Sequence, residues 1–155
     1  LNPSSAASDV YKRQVHGSNL DRLGNRQLDI YGSHTLDDQV PILKGWLDKH
    51  WPNVELKSFQ SNIEGEIINY MHSNNGSGNA FLINPGAFTH TSVAISDSIA
   101  GLESPVLEVH LSHTYARESY RRNSLLAAHT CGTISGLGWI GYRLGIEALL
   151  SLQKD

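Results

Sequence analysis

Absences narrow the chemistry open to this chain before any motif is considered. Cysteine is nearly missing: Cys131 stands alone, which excludes an intramolecular disulfide and fits a reducing cytoplasm. No apolar run approaches the roughly 20 residues that span a bilayer, and residues 1–14 lack the apolar centre of a signal peptide, so a soluble protein without membrane contact is expected. Positive charge is sparse. Twelve Lys and Arg face fifteen Asp and Glu, the net charge is −3, and no basic stripe could neutralise a phosphate backbone, so nucleic acid is not an expected partner. The Cys and His pairs that hold structural metals at fixed short spacing are absent, the eight His are scattered, and no metal is expected. Lysine is missing between Lys57 and Lys154. That region therefore cannot form a Schiff base, and a carbonyl substrate bound there would react through an enolate.

What is present suits one domain. A chain of 155 residues buries roughly two thirds of its unfolded surface in a single core. Residues 1–14, Leu-Asn-Pro-Ser-Ser-Ala-Ala-Ser-Asp-Val-Tyr-Lys-Arg-Gln, are small, polar and unlike the rest in texture; they resemble translated sequencing-adapter read-through. They are expected to be a non-native or disordered head, with the catalytic domain over residues 15–155. On that expectation the native first strand has been overwritten, and the stretch Asp-Val-Tyr-Lys-Arg-Gln-Val is a poor substitute for a buried one.

Residues 16–33 are rich in Gly, Asn, Asp and Arg and predict a lid or binding loop. Thr35 caps a predicted helix over 36–50, with Pro41 an unexplained interruption. A strand follows over 54–59. Ser61 and Glu64 predict a capping box that starts the next helix, and the apolar run 80–83 reads as a strand covered on both faces. Thr91 or Ser92 caps a further helix, and strands over 106–111 and 130–134 precede a last amphipathic helix over 139–152. Strand and helix alternating in this rhythm predict an α/β fold whose parallel sheet has right-handed crossovers and helices on both faces. In such sheets ligands bind beyond the strand ends at a topological switch point.

Two polar clusters fall at such ends. Asn84-Pro85-Gly86 closes a strand and leads into the free N–H groups of a helix start, an anion site in principle; Asn84 and Thr89 serve equally well as turn and cap residues. His90 sits on this polar turn. Glu108 and His110 are two apart on a strand and share one face, which orients an imidazolium as a general acid and equally describes a structural ion pair. Ser112 follows. Arg117, Arg121 and Arg122 on the next loop form either a solvated face or a fork for a substrate oxygen. Arg26 and Tyr31 share the lid. A phenol is a poor base near neutral pH, but a cation about 4 Å away favours the phenolate by roughly 4 kcal/mol at an effective dielectric of about 20; packing and solvation explain the pair as well.

The segments Gly-Ser-Asn-Leu-Asp-Arg-Leu-Gly, Ile-Tyr-Gly, Gln-Ser-Asn-Ile-Glu-Gly-Glu, Asn-Pro-Gly-Ala-Phe-Thr-His-Thr-Ser-Val-Ala, Glu-Val-His-Leu-Ser and Ala-Arg-Glu occur in order. As a set, spanning residues 16–150, they resemble the type II 3-dehydroquinate dehydratases, small lyases with a flavodoxin-like three-layer fold. The resemblance implies dehydration of 3-dehydroquinate to 3-dehydroshikimate through an enolate, without metal or cofactor, in the shikimate pathway of aromatic biosynthesis or in quinate catabolism. It makes Tyr31 the base, with Arg26 stabilising its charge, and His110 the acid, oriented by Glu108. Asn19 would position a water near the enolate. Asn84, His90, Leu111, Ser112 and Arg121 would hold the carboxylate and hydroxyls, and Asp97 would reach a neighbouring subunit's site in a homododecamer built from trimers. Ser18 stands where this family usually has Pro, and His113 and Tyr115 replace its usual Asn and His. The rival reading is a non-catalytic flavodoxin-like protein that holds a carboxylate or phosphate at the helix start near Thr89–Ser92. Such a binder needs neither Tyr31 nor His110.

Overall fold

The structure, a computed structural model, describes residues 10–152. Five parallel strands, β1 (Val10–His16), β2 (Val54–Gln60), β3 (Asn79–Asn84), β4 (Val106–His110) and β5 (Thr133–Ser135), form one sheet in the order β2-β1-β3-β4-β5. The helices are α1 (Leu28–Tyr31), α2 (Leu36–His50), α3 (Glu64–Ser73), α4 (Phe88–Thr91), α5 (Val93–Ala100) and α6 (Ile140–Leu152). Leu43 and Leu47 of α2 and Tyr142, Ile146 and Leu149 of α6 bury one face of the sheet with Leu56, Leu82 and Val109. Ile67 and Met71 of α3 and Ile95 and Ile99 of α5 bury the other with Val15, Phe81 and Ile83. Burial on both sides is why β3 carries an uninterrupted apolar run. The strand order and three layers make this a flavodoxin-like fold.

The predicted elements hold with local shifts, and the largest concerns β1. Its residues 10–14, assigned to the head by their composition, lie in the sheet, where β1 pairs with both β2 and β3; residues 1–9 lie outside the described residues. Period-two alternation turns Lys12, Gln14 and His16 to one face, and all three are buried. Burial lowers the Lys12 ammonium to about 8 and the His16 imidazolium to about 3. Among the described residues neither Gln14 Oε1 nor His16 Nε2 has a hydrogen-bond partner. On the opposite face Arg13 is held by Asn79 Oδ1 at 2.7 Å and by Tyr70 Oη at 3.1 Å.

Helix α2 opens with a capping box between Thr35 and Asp38 and runs through Pro41, which lies on its exposed side. The capping box expected at Ser61 and Glu64 does not form. Ser61 instead accepts from the Ile63 amide at 2.9 Å and donates to Glu66, so the hydroxyl closes a local turn before α3. Ser92 is the cap of α5, accepting from the Ile95 amide at 2.9 Å.

Strand order reverses between β1 and β3, the switch point of the fold, and the two loops leaving these strands touch backbone to backbone. A Cβ on Gly17 would lie 2.3 Å from the Pro85 carbonyl oxygen, and one on Gly86, where φ is +60°, would lie 2.7 Å from the Ser18 carbonyl oxygen. Glycine at both positions is what lets the loops close together and places Asn19 and Asn84 beside one another's loops.

Candidate active site

A cavity of about 140 Å³ opens at this switch point. Asn19, Arg26 and Tyr31 line it from the lid, Asn84 and His90 from the β3 end, and His110, Leu111, Ser112, Arg117 and Arg121 from the β4 end. Of the residues to which the resemblance assigns a role, Glu108 and Asp97 do not line it, and neither do Thr89 and Arg122. Glu108 sits fully buried behind His110, and Asp97 is exposed on α5.

The lid is tied down by Leu20 and Leu23, both buried in the core. Asn19 adopts φ 66°, a left-handed conformation that Asn tolerates better than most residues, and its amide donates to Asn62 Oδ1 at 2.7 Å. Gln60 Nε2 supports the same turn by donating to the Gly17 carbonyl at 3.2 Å. The segment around Gln60-Ser61-Asn62 therefore braces the loop carrying Asn19.

Tyr31 points its hydroxyl at two guanidinium groups. Arg117 Nη1 donates to Oη at 2.8 Å, and Arg26 Nη2 donates at 3.4 Å, with the Arg26 carbon 4.3 Å from the ring centroid. Arg117 Nη1 also reaches Ser112 Oγ at 3.0 Å. In the sequence Arg117 is one of several loop arginines, and the 86 residues between it and Tyr31 hide the link between them; the Ala116-Arg117-Glu118 segment is the available signal.

His110 Nε2 lies 2.5 Å from Glu108 Oε2, as two strand residues on one face permit. Glu108 is held from other sides too: Thr89 Oγ1 donates to Oε2 at 2.6 Å and Ser124 Oγ donates to Oε1 at 2.8 Å. Burial pushes the Glu108 carboxyl up. The hydrogen bond from His110, the charge on that ring, and the Thr89 and Ser124 hydroxyls together outweigh burial and hold it below the ordinary carboxylate range. The carboxylate fixes the His110 ring and leaves Nδ1 for the cavity. Thr89, weighed in the sequence as a cap, is buried on this carboxylate; Ser124 carried no sequence signal.

His90 Nδ1 lies 2.7 Å from the Asn123 carbonyl, which can only accept, so Nδ1 carries the proton and Nε2 is free for a ligand. Asn84 is 3 % exposed; its Oδ1 accepts from the Gly86 amide at 3.2 Å and its Nδ2 donates to Tyr142 Oη at 2.8 Å. Arg121 pairs with Glu118 at the rim. Among the described residues no three His, Cys, Asp or Glu side chains converge as a metal-ligand set, and no helix is long and apolar enough to cross a membrane. Chemically, the cavity sets a phenol backed by two cations against an imidazole backed by a carboxylate, with amide, imidazole, hydroxyl and guanidinium groups between them.

Comparison with known proteins matches residues 13–150 to the model of the family described as dehydroquinase class II. A 3-dehydroquinate dehydratase of Halalkalibacterium halodurans is 46 % identical over 140 residues, 90 % of this chain and 95 % of that protein. One from Proteus mirabilis is 44 % identical over 137 residues, 88 % of this chain and 92 % of its own. Among solved structures, the type II dehydroquinase of Propionibacterium acnes superposes with a TM-score of 0.84 at 35 % identity, covering 94 % of this chain and 97 % of that one. The type II dehydroquinase of Butyrivibrio crossotus gives 0.86 at 34 % identity, covering 91 % and 97 %.

Proposed function

The chain belongs to the class II dehydroquinases, a 3-dehydroquinate dehydratase by that membership, and from this premise we propose that it works through an enolate with Tyr31 as base and His110 as acid. The observation that carries the reading is that both side chains line one cavity, each backed by groups of opposite charge. Arg26 and Arg117 stabilise negative charge on the Tyr31 oxygen, which takes the proton from C2 of 3-dehydroquinate. The electrons pass onto the C3 carbonyl as an enolate, where fixed donors and a water positioned by Asn19 stabilise the charge. His110 then protonates the C1 hydroxyl, the C1–O bond breaks, water leaves and the C1–C2 double bond of 3-dehydroshikimate forms. Tyr31 ends protonated and His110 neutral, and exchange with solvent resets both.

Asn84, His90, the Leu111 and Ser112 segment and Arg121 hold the carboxylate and hydroxyls, and no cofactor takes part. The step belongs to the shikimate pathway, and the same dehydration serves quinate breakdown. The acting unit is a homo-oligomer, a dodecamer built from trimers, in the cytoplasm. Asp97, which the family resemblance assigns to a neighbouring subunit's site, is compatible with this: it lies outside its own chain's cavity, one turn beyond Val93, which is 61 % exposed on the same helix.

The test is addition of 3-dehydroquinate with conjugated-enone absorbance as readout. Tyr31→Phe and His110→Ala are each expected to abolish the signal while sedimentation shows an unchanged assembly. Wild-type rates in either variant would overturn the role assignment, and saturable binding of the substrate without turnover by the native chain would favour the non-catalytic binder.

A further inference from the structure

Tyr142 and His16 belong to no part of the chemistry above, yet both are buried directly behind a residue that does. Tyr142 is 1 % exposed and His16 is fully buried, and neither lines the cavity. Their side chains lie under Asn84, whose backbone is the register partner of His16.

The direction of each hydrogen bond follows from chemistry. The Gly86 amide can only donate, so the oxygen of the Asn84 amide must face it, at 3.2 Å. Nδ2 therefore faces Tyr142 Oη, at 2.8 Å, and Oη accepts there. The single phenol proton remains, and His16 Nδ1 lies 3.3 Å away. Burial keeps His16 neutral and pushes the Tyr142 hydroxyl above its ordinary range, so it stays a phenol. Two tautomers of His16 compete. With Nδ1 unprotonated, Tyr142 donates to it and the Nε2–H alone is left without a partner. With Nδ1 protonated, both the Nε2 lone pair and the Tyr142 proton are unpaired. The first arrangement leaves fewer buried groups unsatisfied and prevails.

We propose that Tyr142 is a positioning residue: its hydroxyl, oriented by His16, locks the Asn84 amide so that the second Nδ2 hydrogen is presented to a substrate oxygen in the cavity. This deepens the reading of Asn84 as a substrate contact and rests on it. Without the phenol the Asn84 amide is held only through its oxygen at Gly86, and with its nitrogen unpartnered it populates turned rotamers in which the cavity-facing hydrogen is lost. Ground state and transition state lose the same contact, and the loss falls on KM rather than on kcat.

Three measurements on the full chain test this. In steady-state dehydration of 3-dehydroquinate, Tyr142→Phe is expected to raise KM about tenfold with kcat nearly unchanged. Adding Tyr142→Phe to Asn84→Ala is expected to raise KM no further, because the phenol acts only through that amide. A crystal structure of Tyr142→Phe is expected to show Asn84 turned or split between rotamers. Additive effects, a fall in kcat alone, or an Asn84 amide unmoved in that crystal would overturn the proposal. If Tyr142→Phe does not yield folded protein, His16→Leu removes the acceptor of the phenol proton and leaves the Tyr142 ring stacked on Trp139, and the same coupling to Asn84 is expected. A native chain without turnover would defeat the dehydratase reading instead, and the crystal structure would still decide the positioning role.

Discussion

Arg117 donates one Nη1 group to Tyr31 Oη at 2.8 Å and to Ser112 Oγ at 3.0 Å, so a single guanidinium ties the lid to the end of β4. Arg26 reaches the same phenol from within the lid at 3.4 Å. The shorter contact is the one from outside the lid, so the nearest positive charge on the Tyr31 oxygen comes from the β4 end rather than from the lid itself.

Removing Arg117 takes away a donor aimed at the oxygen of Tyr31, the proposed base. Arg117→Ala is expected to lower kcat/KM by about 10²–10³, the effect of deleting one preorganised donor to a developing anion. Arg117→Lys keeps the charge but offers a single point rather than a fork to Tyr31 and Ser112, so it recovers only part of the loss. Steady-state rates on 3-dehydroquinate decide the matter, and equal rates for wild type and Arg117→Ala would remove Arg117 from the base.

Glu108 couples His110 to the fold. Its carboxyl titrates below the ordinary 4.5 in the folded protein, so the unfolded chain binds a proton first as pH falls. The stability it contributes is therefore fully present above about pH 4.5 and is lost as pH drops through the lower folded value. Thr89 and Ser124 donate to opposite oxygens of this carboxylate, so Glu108→Gln must turn its NH2 group toward one of these donors and is expected to cost roughly 1–3 kcal/mol at pH 7. Thermal melts on both proteins from neutral to acid should show the gap between them narrowing below pH 4.5. A gap independent of pH would show that Glu108 is not held as a carboxylate by these partners.

The layered sheet was legible because its signals are local. Apolar runs marked β3 and β4, Thr35 and Ser92 marked helix starts, and a spacing of two placed Glu108 beside His110. Pattern misled where a polar residue found a different local partner: Ser61 and Glu64 match a capping box, but Ser61 closes on Ile63 and Glu66. It also failed at β1, whose residues Lys12 and Gln14 look like a solvated head and are buried. The contacts that organise the cavity, Arg117 with Tyr31, Ser124 with Glu108 and Tyr142 with Asn84, join positions far apart in the chain. No spacing rule reaches them; only the sheet order brings them together.

The contact between the β1 and β3 loops is a second place where one atom decides. A methyl group on Gly17 would sit 2.3 Å from backbone oxygen of Pro85, closer than atoms can approach, and neither loop can yield without moving Asn19 or Asn84. Gly17→Ala is expected to destabilise the fold by about 1–3 kcal/mol, as overpacking does, and to lower activity further than the stability loss explains. Gly45→Ala, on the open side of α2 with nothing within 4 Å of the added carbon, is the control and should be neutral or slightly stabilising. Comparing melting temperature and kcat/KM for the two separates crowding at the switch point from any general effect of replacing glycine.

Lys12 is a titratable side chain buried in the middle of the sheet. It is fully buried in β1, level with Leu56 and Ala80 on the flanking strands, and burial lowers its ammonium from 10.5 to about 8. Between those two values the unfolded chain holds more protons than the folded one, so stability rises with pH across that window. The penalty is complete below about pH 8 and fades toward 10.5. Lys12→Leu is apolar at every pH, so its stability relative to the native chain should be most favourable at pH 7 and fall toward pH 10. Melts of both proteins from pH 7 to 10 read this change directly, at about 2–4 °C in melting temperature for each kcal/mol in a chain of this size. Parallel curves would mean that Lys12 stays charged in the core, and a less stable Lys12→Leu would mean that its interactions outweigh the cost of burying it.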